Sequence, residues 1–172
     1  MVDDKLIEAF DTIRSGVYIV TSAYRRKPAG CTVVWLSRVS FDPPLLAVCL
    51  APDGHTFQTI AKGKRFCANI LGDSGLLLAR AFGFATGSTQ NKFEDVPYTK
   101  SASGSPRLDA AVAYIDCQLQ SMTPVGDHVI LIGEIIDAAR TSEEQPMIYD
   151  PHTFYVKDSL RVESLGQQAS ES

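Results

Sequence analysis

The sequence has none of the short motifs that mark the commoner hydrolases, nucleotide-binding enzymes and metalloproteases. It contains no GxSxG elbow, no GxxxxGK[ST] phosphate loop, no HExxH and no GxGxxG. Histidine is scarce. His55, His128 and His152 are the full set, and a three-histidine metal site would need all of them to converge from separate segments. No metal site is expected. The four cysteines, Cys31, Cys49, Cys67 and Cys117, form no CxxC pair. Each lies inside an apolar run, which predicts reduced core thiols rather than disulfides, zinc ligands or a Cys–His nucleophile. No apolar stretch approaches the roughly 18 residues that cross a bilayer. The acidic opening Val2-Asp3-Asp4-Lys5 lacks the apolar centre of a signal peptide. A cytoplasmic protein without membrane contact is expected. Basic charge is not in excess either: the net charge is −4, whereas nucleic-acid binders usually show a basic face. The one basic run, Arg25-Arg26-Lys27, reads as a solvated hairpin tip, with a patch that attracts anionic cofactors as the alternative.

What remains is ordinary for a folded protein. A chain of 172 residues, 45% hydrophobic and 21% charged, suits a single domain with its own core. That domain is expected over residues 1–156, followed by a polar tail over 157–172 whose end is disordered. Val2, Leu6, Ala9, Phe10 and Ile13 recur at helical spacing, predicting an amphipathic helix over 2–13 that Gly16 ends. Strands are predicted over 17–21, 31–36, 45–51 and 66–71, with a turn over 25–30. Asp42-Pro43-Pro44 should break the ladder, because proline has no N–H to donate. Thr56 is placed to cap a helix over 57–62 that Gly63 stops, and Asp73 or Ser74 to cap one over 75–82 that Gly83 stops.

Residues 84–107 read as a long loop, rich in Gly, Ser and Thr. In the strand predicted over 112–120, Ala113, Ile115, Cys117 and Leu119 share one face, and Asp116, Gln118 and Gln120 the other. A turn over 123–126 leads to a fully buried strand over 129–136, and a last short strand is expected around Tyr149 and 154–156. Many strands and few helices predict a mainly β fold: an antiparallel barrel with short peripheral helices. The polar residues left near strand ends and loops are Ser37, Asp53, His55, Thr56, Lys92, Asp127 and His128. They form no obvious acid/base couple, so an enzyme built on them would take its chemistry from a bound cofactor.

The order of several segments adds a resemblance. These are 16–21, Val34-Trp35-Leu36-Ser37 running into the S-x-x-P-P element Ser40 to Pro44, 66–71, Lys92-Phe93, and Gly126-Asp127-His128 opening a G-D-H-x-x-x-x-G-E-[VI] element. Together they resemble the flavin reductase-like family of FMN-binding split barrels, in particular its flavoredoxin-like branch. The resemblance implies a split barrel and a homodimer with FMN, or FAD in its place, at the subunit interface. NAD(P)H would be the co-substrate, passing hydride to the flavin. The ring would lie along the strand carrying Thr32, Val33, Val34, Trp35, Leu36 and Ser37, with Trp35 against it. Thr56 and Lys92 would receive the phosphate. Asp53, His55 and Phe93 complete the implied cofactor-binding set. His128 would face the flavin and the nicotinamide, and is the implied catalytic residue. Electrons would pass on to free flavin, a partner oxygenase or another redox protein. Val34 and Ala29 depart from the polar residues common among relatives, which removes side-chain hydrogen bonds but not contacts from backbone amides. Two rivals share the barrel: a flavin-binding protein or electron carrier without NAD(P)H turnover, and a pyridoxamine-phosphate-oxidase-like enzyme, whose Arg and Lys clusters are not evident here.

Overall fold

The computed structural model describes residues 3–85, 87 and 91–155. Seven antiparallel strands form one sheet: β1 (Tyr18–Tyr24), β2 (Lys27–Val33), β3 (Leu36–Phe41), β4 (Pro44–Leu50), β5 (Arg65–Ile70), β8 (Ala113–Val125) and β9 (His128–Arg140). A separate hairpin pairs β6 (Tyr98–Lys100) with β7 (Pro106–Leu108). The helices are α1 (Asp4–Phe10), α2 (His55–Gly63), α3 (Leu76–Phe84) and α4 (Pro151–Phe154). Among the described residues no helix is long and apolar enough to cross a membrane.

The strand order β2-β1-β5-β8-β9-β4-β3 puts β2 and β3 at opposite edges, yet only Val34-Trp35 joins them. In a flat sheet those edges would lie roughly 29 Å apart, at about 4.8 Å per strand. Three Cα steps reach at most about 11 Å. The sheet must therefore curl until its edges approach. Its core follows that curl: Val20, Leu46, Val48, Phe66, Cys117 and Leu131 come from five strands and pack with Ile60 of α2 in one buried cluster. The edge strands β2 and β3 are not paired in the sheet order, so the barrel stays split along this seam. The predicted antiparallel β fold with short helices is what forms. Gly133 lets β9 pass close to the core; a Cβ there would lie 2.6 Å from the Phe66 ring and 2.7 Å from Cys117 Cβ.

A second cluster, around Ile19, Leu71, Phe82, Leu108 and Phe154, seats α3 and the β6–β7 hairpin against the sheet. Buried Asn69 ties them together. Its amide donates to the Ile19 carbonyl at 3.0 Å and to Thr21 Oγ1 at 3.1 Å, and accepts the Leu108 N–H at 2.8 Å.

Several local expectations change. The predicted helix over 2–13 is only α1, which buries no residue; Val2 lies outside the described residues, and Gly16 bridges to Ile148 instead of ending a helix. The turn expected over 25–30 shrinks to Arg25-Arg26, and β2 begins at Lys27. The strand expected over 31–36 breaks at Val34-Trp35, where the chain crosses the seam. Pro43 and Pro44 do not interrupt a ladder: Asp42-Pro43 makes the turn of a hairpin in which Phe41 pairs with Pro44. Thr56 sits inside α2, whose N-cap is Gly54, and Gly63 is still helical, with Lys64 as the left-handed C-cap.

Residues Asp73–Gly75 form a 3-10 turn before α3, and Gly83 lies within that helix. Ser74 uses its N–H and hydroxyl on Glu144, both at 2.8 Å. The loop expected over 84–107 contains the β6–β7 hairpin. Asp116 does not face solvent. A bulge shifts the β8–β9 register beside it, and its buried carboxylate accepts the Ser103 N–H at 2.6 Å and hydroxyl at 2.7 Å. Thr123, Pro124 and Val125 remain in β8, so the turn is Gly126-Asp127. In β9, Val129, Leu131 and Gly133 are buried while Ile130 and Ile132 are only half-buried, an alternation rather than a fully buried strand. The last predicted strand is replaced by α4; Val156 and the tail lie outside the described residues.

Candidate functional site

A cleft of about 300 Å³ opens where β2, the end of β4, the start of α2 and the end of α3 meet. It is lined by Thr32, Val33, His55, Thr56, Lys92 and His128 from the predicted set, and by residues the sequence did not single out, among them Cys31, Cys49, Phe57 and Phe82. No Asp or Glu is among the lining residues.

One end of the cleft is built for an anion. The first amides of α2 have no partner within the helix, and its N-cap Gly54 offers no side chain to satisfy them. Thr56 is buried in this first turn, which holds no acidic residue. Opposite, Lys92 Nζ donates to the carbonyls of Phe82 at 2.7 Å and Gly30 at 3.2 Å, and lies 5.7 Å from the centre of the Phe82 ring. Partial burial lowers the Lys92 pKa below the usual ammonium value, against an opposing pull from Cys31. An ammonium held by carbonyls and a helix N-terminus lining one cleft, with no carboxylate among its described lining residues, suit a phosphate.

The Cys31 thiol sits in this corner. Burial pushes its pKa up, offset in part by a hydrogen bond with Thr56 and by the Lys92 charge. Cys67 and Cys117 are buried core thiols as expected, with Cys117 pushed up to about 12 by burial and then by Asp116. Cys31 and Cys49, by contrast, are only half-buried and line the cleft. In β4 the buried Leu46, Val48 and Leu50 alternate with Cys49, which therefore turns away from the barrel core, whereas Cys31 packs against it.

At the other end of the cleft His128 is a lining residue, and Trp35 stands beside it without lining the cleft. The Trp35 ring lies against His128, with centroids 4.7 Å apart and planes tilted by 57°. Trp35 is 52% exposed in a single chain. Its carbonyl accepts the Cys49 N–H at 3.0 Å, which holds the seam residue to the start of the cleft. His128 Nδ1 lies 2.8 Å from Asp127 Oδ1.

The remaining predicted residues take other places. Val34 and Trp35 form the seam beside the cleft, and Leu36 packs against the barrel core. Ser37 is exposed, with its hydroxyl donating to the Arg38 carbonyl at 3.2 Å. Asp53 is exposed ahead of α2 and is not a lining residue. Phe93 packs edge-on to Phe82 at 5.2 Å, behind the Lys92 side of the cleft. Thr32 spends its hydroxyl on the Ala79 carbonyl at 2.6 Å, so only its backbone and methyl are free for a ligand.

Comparison with known proteins agrees with this architecture. A reductase component of the 4-nitrophenol 4-monooxygenase/4-nitrocatechol 2-monooxygenase of Rhodococcus opacus is 36% identical over 124 residues, covering 72% of this chain and 65% of that protein. A flavin reductase of Rhizobium meliloti, described as probable, is 31% identical over 131 residues, covering 76% of this chain and 41% of that protein. The chain thus spans less than two thirds of the length of either relative. Among solved structures, the NADH:FAD oxidoreductase SgcE6 of Streptomyces globisporus C-1027 superposes with a TM-score of 0.80 at 28% identity, covering 87% of this chain and 92% of that one. The description of the flavin reductase like domain matches residues 10–157, nearly the whole described chain, and the protein therefore belongs to the flavin reductase-like domain family.

Proposed function

We propose that the cleft binds FMN, with FAD as the larger variant, and that the protein is an NAD(P)H-dependent flavin reductase. The observation that carries this reading is a cleft with an anion-binding corner that His128 also lines, with the exposed Trp35 packed on that imidazole beside it. Thr56, the α2 amides and Lys92 hold the phosphate. Val33, Val34 and Trp35 offer backbone amides and an indole face to the ring along the seam. His128, behind Trp35, orients the nicotinamide. When bound, the flavin supplies the hydride-accepting chemistry; the protein holds the two rings together and oriented.

A second copy of the chain completes the site. In one chain Trp35 of the seam and Val39 and Phe41 of the edge strand β3 are 52%, 51% and 85% exposed, apolar surface that a monomer seldom leaves in water. The relative from Rhodococcus opacus is a reductase component of a monooxygenase, which supports an oxygenase as the recipient of the reduced flavin here. The protein acts in the cytoplasm on this reading.

Anaerobic rapid mixing tests the function. The FMN-loaded protein should lose its visible flavin band on mixing with NADH or NADPH, at a rate that saturates with nucleotide. A bound flavin that dithionite reduces but neither nucleotide does would make the protein a carrier instead.

A further inference from the structure

The His128 imidazole is held on two sides, by Asp127 at Nδ1 and by the Trp35 ring. Neighbouring residues in a strand send their side chains to opposite faces, so this contact does not come from β geometry. It arises because Asp127 lies in the two-residue turn between β8 and β9, where Gly126 takes φ +56, and His128 is the first residue of β9. The Asp127 side chain is 93% exposed, and a single ion pair in water adds little to folding. The contact therefore does little for stability. Its consequence is directional: the hydrogen bond to His128 is the main cause holding the Asp127 carboxyl below its usual range, so the acceptor is a carboxylate at neutral pH.

We propose that Asp127 is a positioning residue that keeps the proton of neutral His128 on Nδ1, so that Nε2 meets the cleft as a hydrogen-bond acceptor. A carboxylate can only accept, so Nδ1 must donate. A neutral imidazole has one N–H, so Nε2 keeps its lone pair. Nε2 has no hydrogen-bond partner among the described residues, and His128 lines the cleft. The ligand group this selects is an N–H donor carried on a planar ring. Resting on the reading above, that donor is the carboxamide of the nicotinamide. The opposite tautomer would set N–H against N–H. Asp127 thus acts on the second substrate and not on flavin retention.

The tautomer can be read without flavin or turnover, from the ¹⁵N shifts of His128 in the full chain at pH 9, assigned with His128→Gln. The expected result is the Nδ1–H form in the wild type and a shift toward Nε2–H, the form free imidazoles prefer, in Asp127→Ala. The KM for NAD(P)H should then rise about two- to tenfold, as for the loss of one oriented hydrogen bond. The FMN Kd should be unchanged, and Asp127→Glu should recover part of the KM. A wild-type Nε2–H form, or an Asp127→Ala variant that leaves the tautomer in place, overturns the proposal. A tautomer that moves while KM does not overturns the nicotinamide as the partner of Nε2. If the wild type does not turn over NAD(P)H at all, the reductase reading fails, and the NMR result still decides the role of Asp127.

Discussion

Lys92 has two carbonyls for partners, and neither of the two ion pairs among the described residues includes it. An anion arriving at α2 would be its first full counter-charge. Lys92→Ala should therefore weaken FMN binding roughly tenfold to hundredfold, as for a charge-assisted hydrogen bond of about 1.5–3 kcal/mol. Riboflavin, which lacks the phosphate, should lose much less; calorimetry with both ligands makes the comparison. The pH dependence has a definite sign. Burial lowers the Lys92 pKa in the free protein, and a bound phosphate favours the ammonium, so binding takes up a proton between the two pKa values. FMN affinity should fall as pH rises, starting below the pH at which an ordinary lysine titrates, while riboflavin affinity stays flat. Thr56, Lys92 and His128 could be picked out because each sits in a recognisable short pattern. Cys31, Cys49 and Phe82 could not: a residue inside an apolar run looks the same in sequence whether it meets a core or a cleft.

At the scale of elements, α2 shows how packing reassigns a local signal. Gly63 carries the sequence signature of a helix stop, but the left-handed residue is Lys64, at φ 57. Gly63 is small for another reason: a Cβ there would lie 2.9 Å from the Ala23 carbonyl of β1. The two neighbours should therefore respond in opposite directions. Lys64→Gly removes the left-handed penalty on an exposed residue and should raise stability by up to about 1 kcal/mol. That corresponds to roughly 2–4 °C in Tm for a protein of this size. Gly63→Ala should lower Tm, because backbone rather than a flexible side chain must move; thermal denaturation of the two variants checks both signs. The same override explains the Arg25-Arg26 turn, where both residues take positive φ. The existence of β1, β2, β4, β5, β8 and β9 was readable from β-branched and alternating residues, but that of β3, β6 and β7 was not. Helix boundaries were not, since caps here depend on contacts with β1 and on Glu144.

For the whole molecule, the legible part was its class: antiparallel strands, few helices, and a core built from alternate positions. The seam was hidden, because Cys31 to Leu36 reads as one apolar β-branched run and nothing local says that its middle must bridge two sheet edges. That edge leads to the assembly. Light scattering should give a dimer, and Phe41→Asp, which puts a charge on the most exposed apolar residue of β3, should give a folded monomer with weakened FMN binding, since Trp35 is part of the same exposed apolar surface. A monomeric wild type with full FMN affinity would remove the dimer from the proposal.

The contact between Gly133 and Phe66 bears on how this barrel can change over time. β9 carries only a hydrogen where the ring from β5 enters. A methyl group gained at position 133 requires atoms to be given up at position 66, and the benefit of a smaller residue at 66 depends on what 133 then becomes. The two positions are therefore one unit of inheritance, able to move together along a narrow path and unable to drift separately.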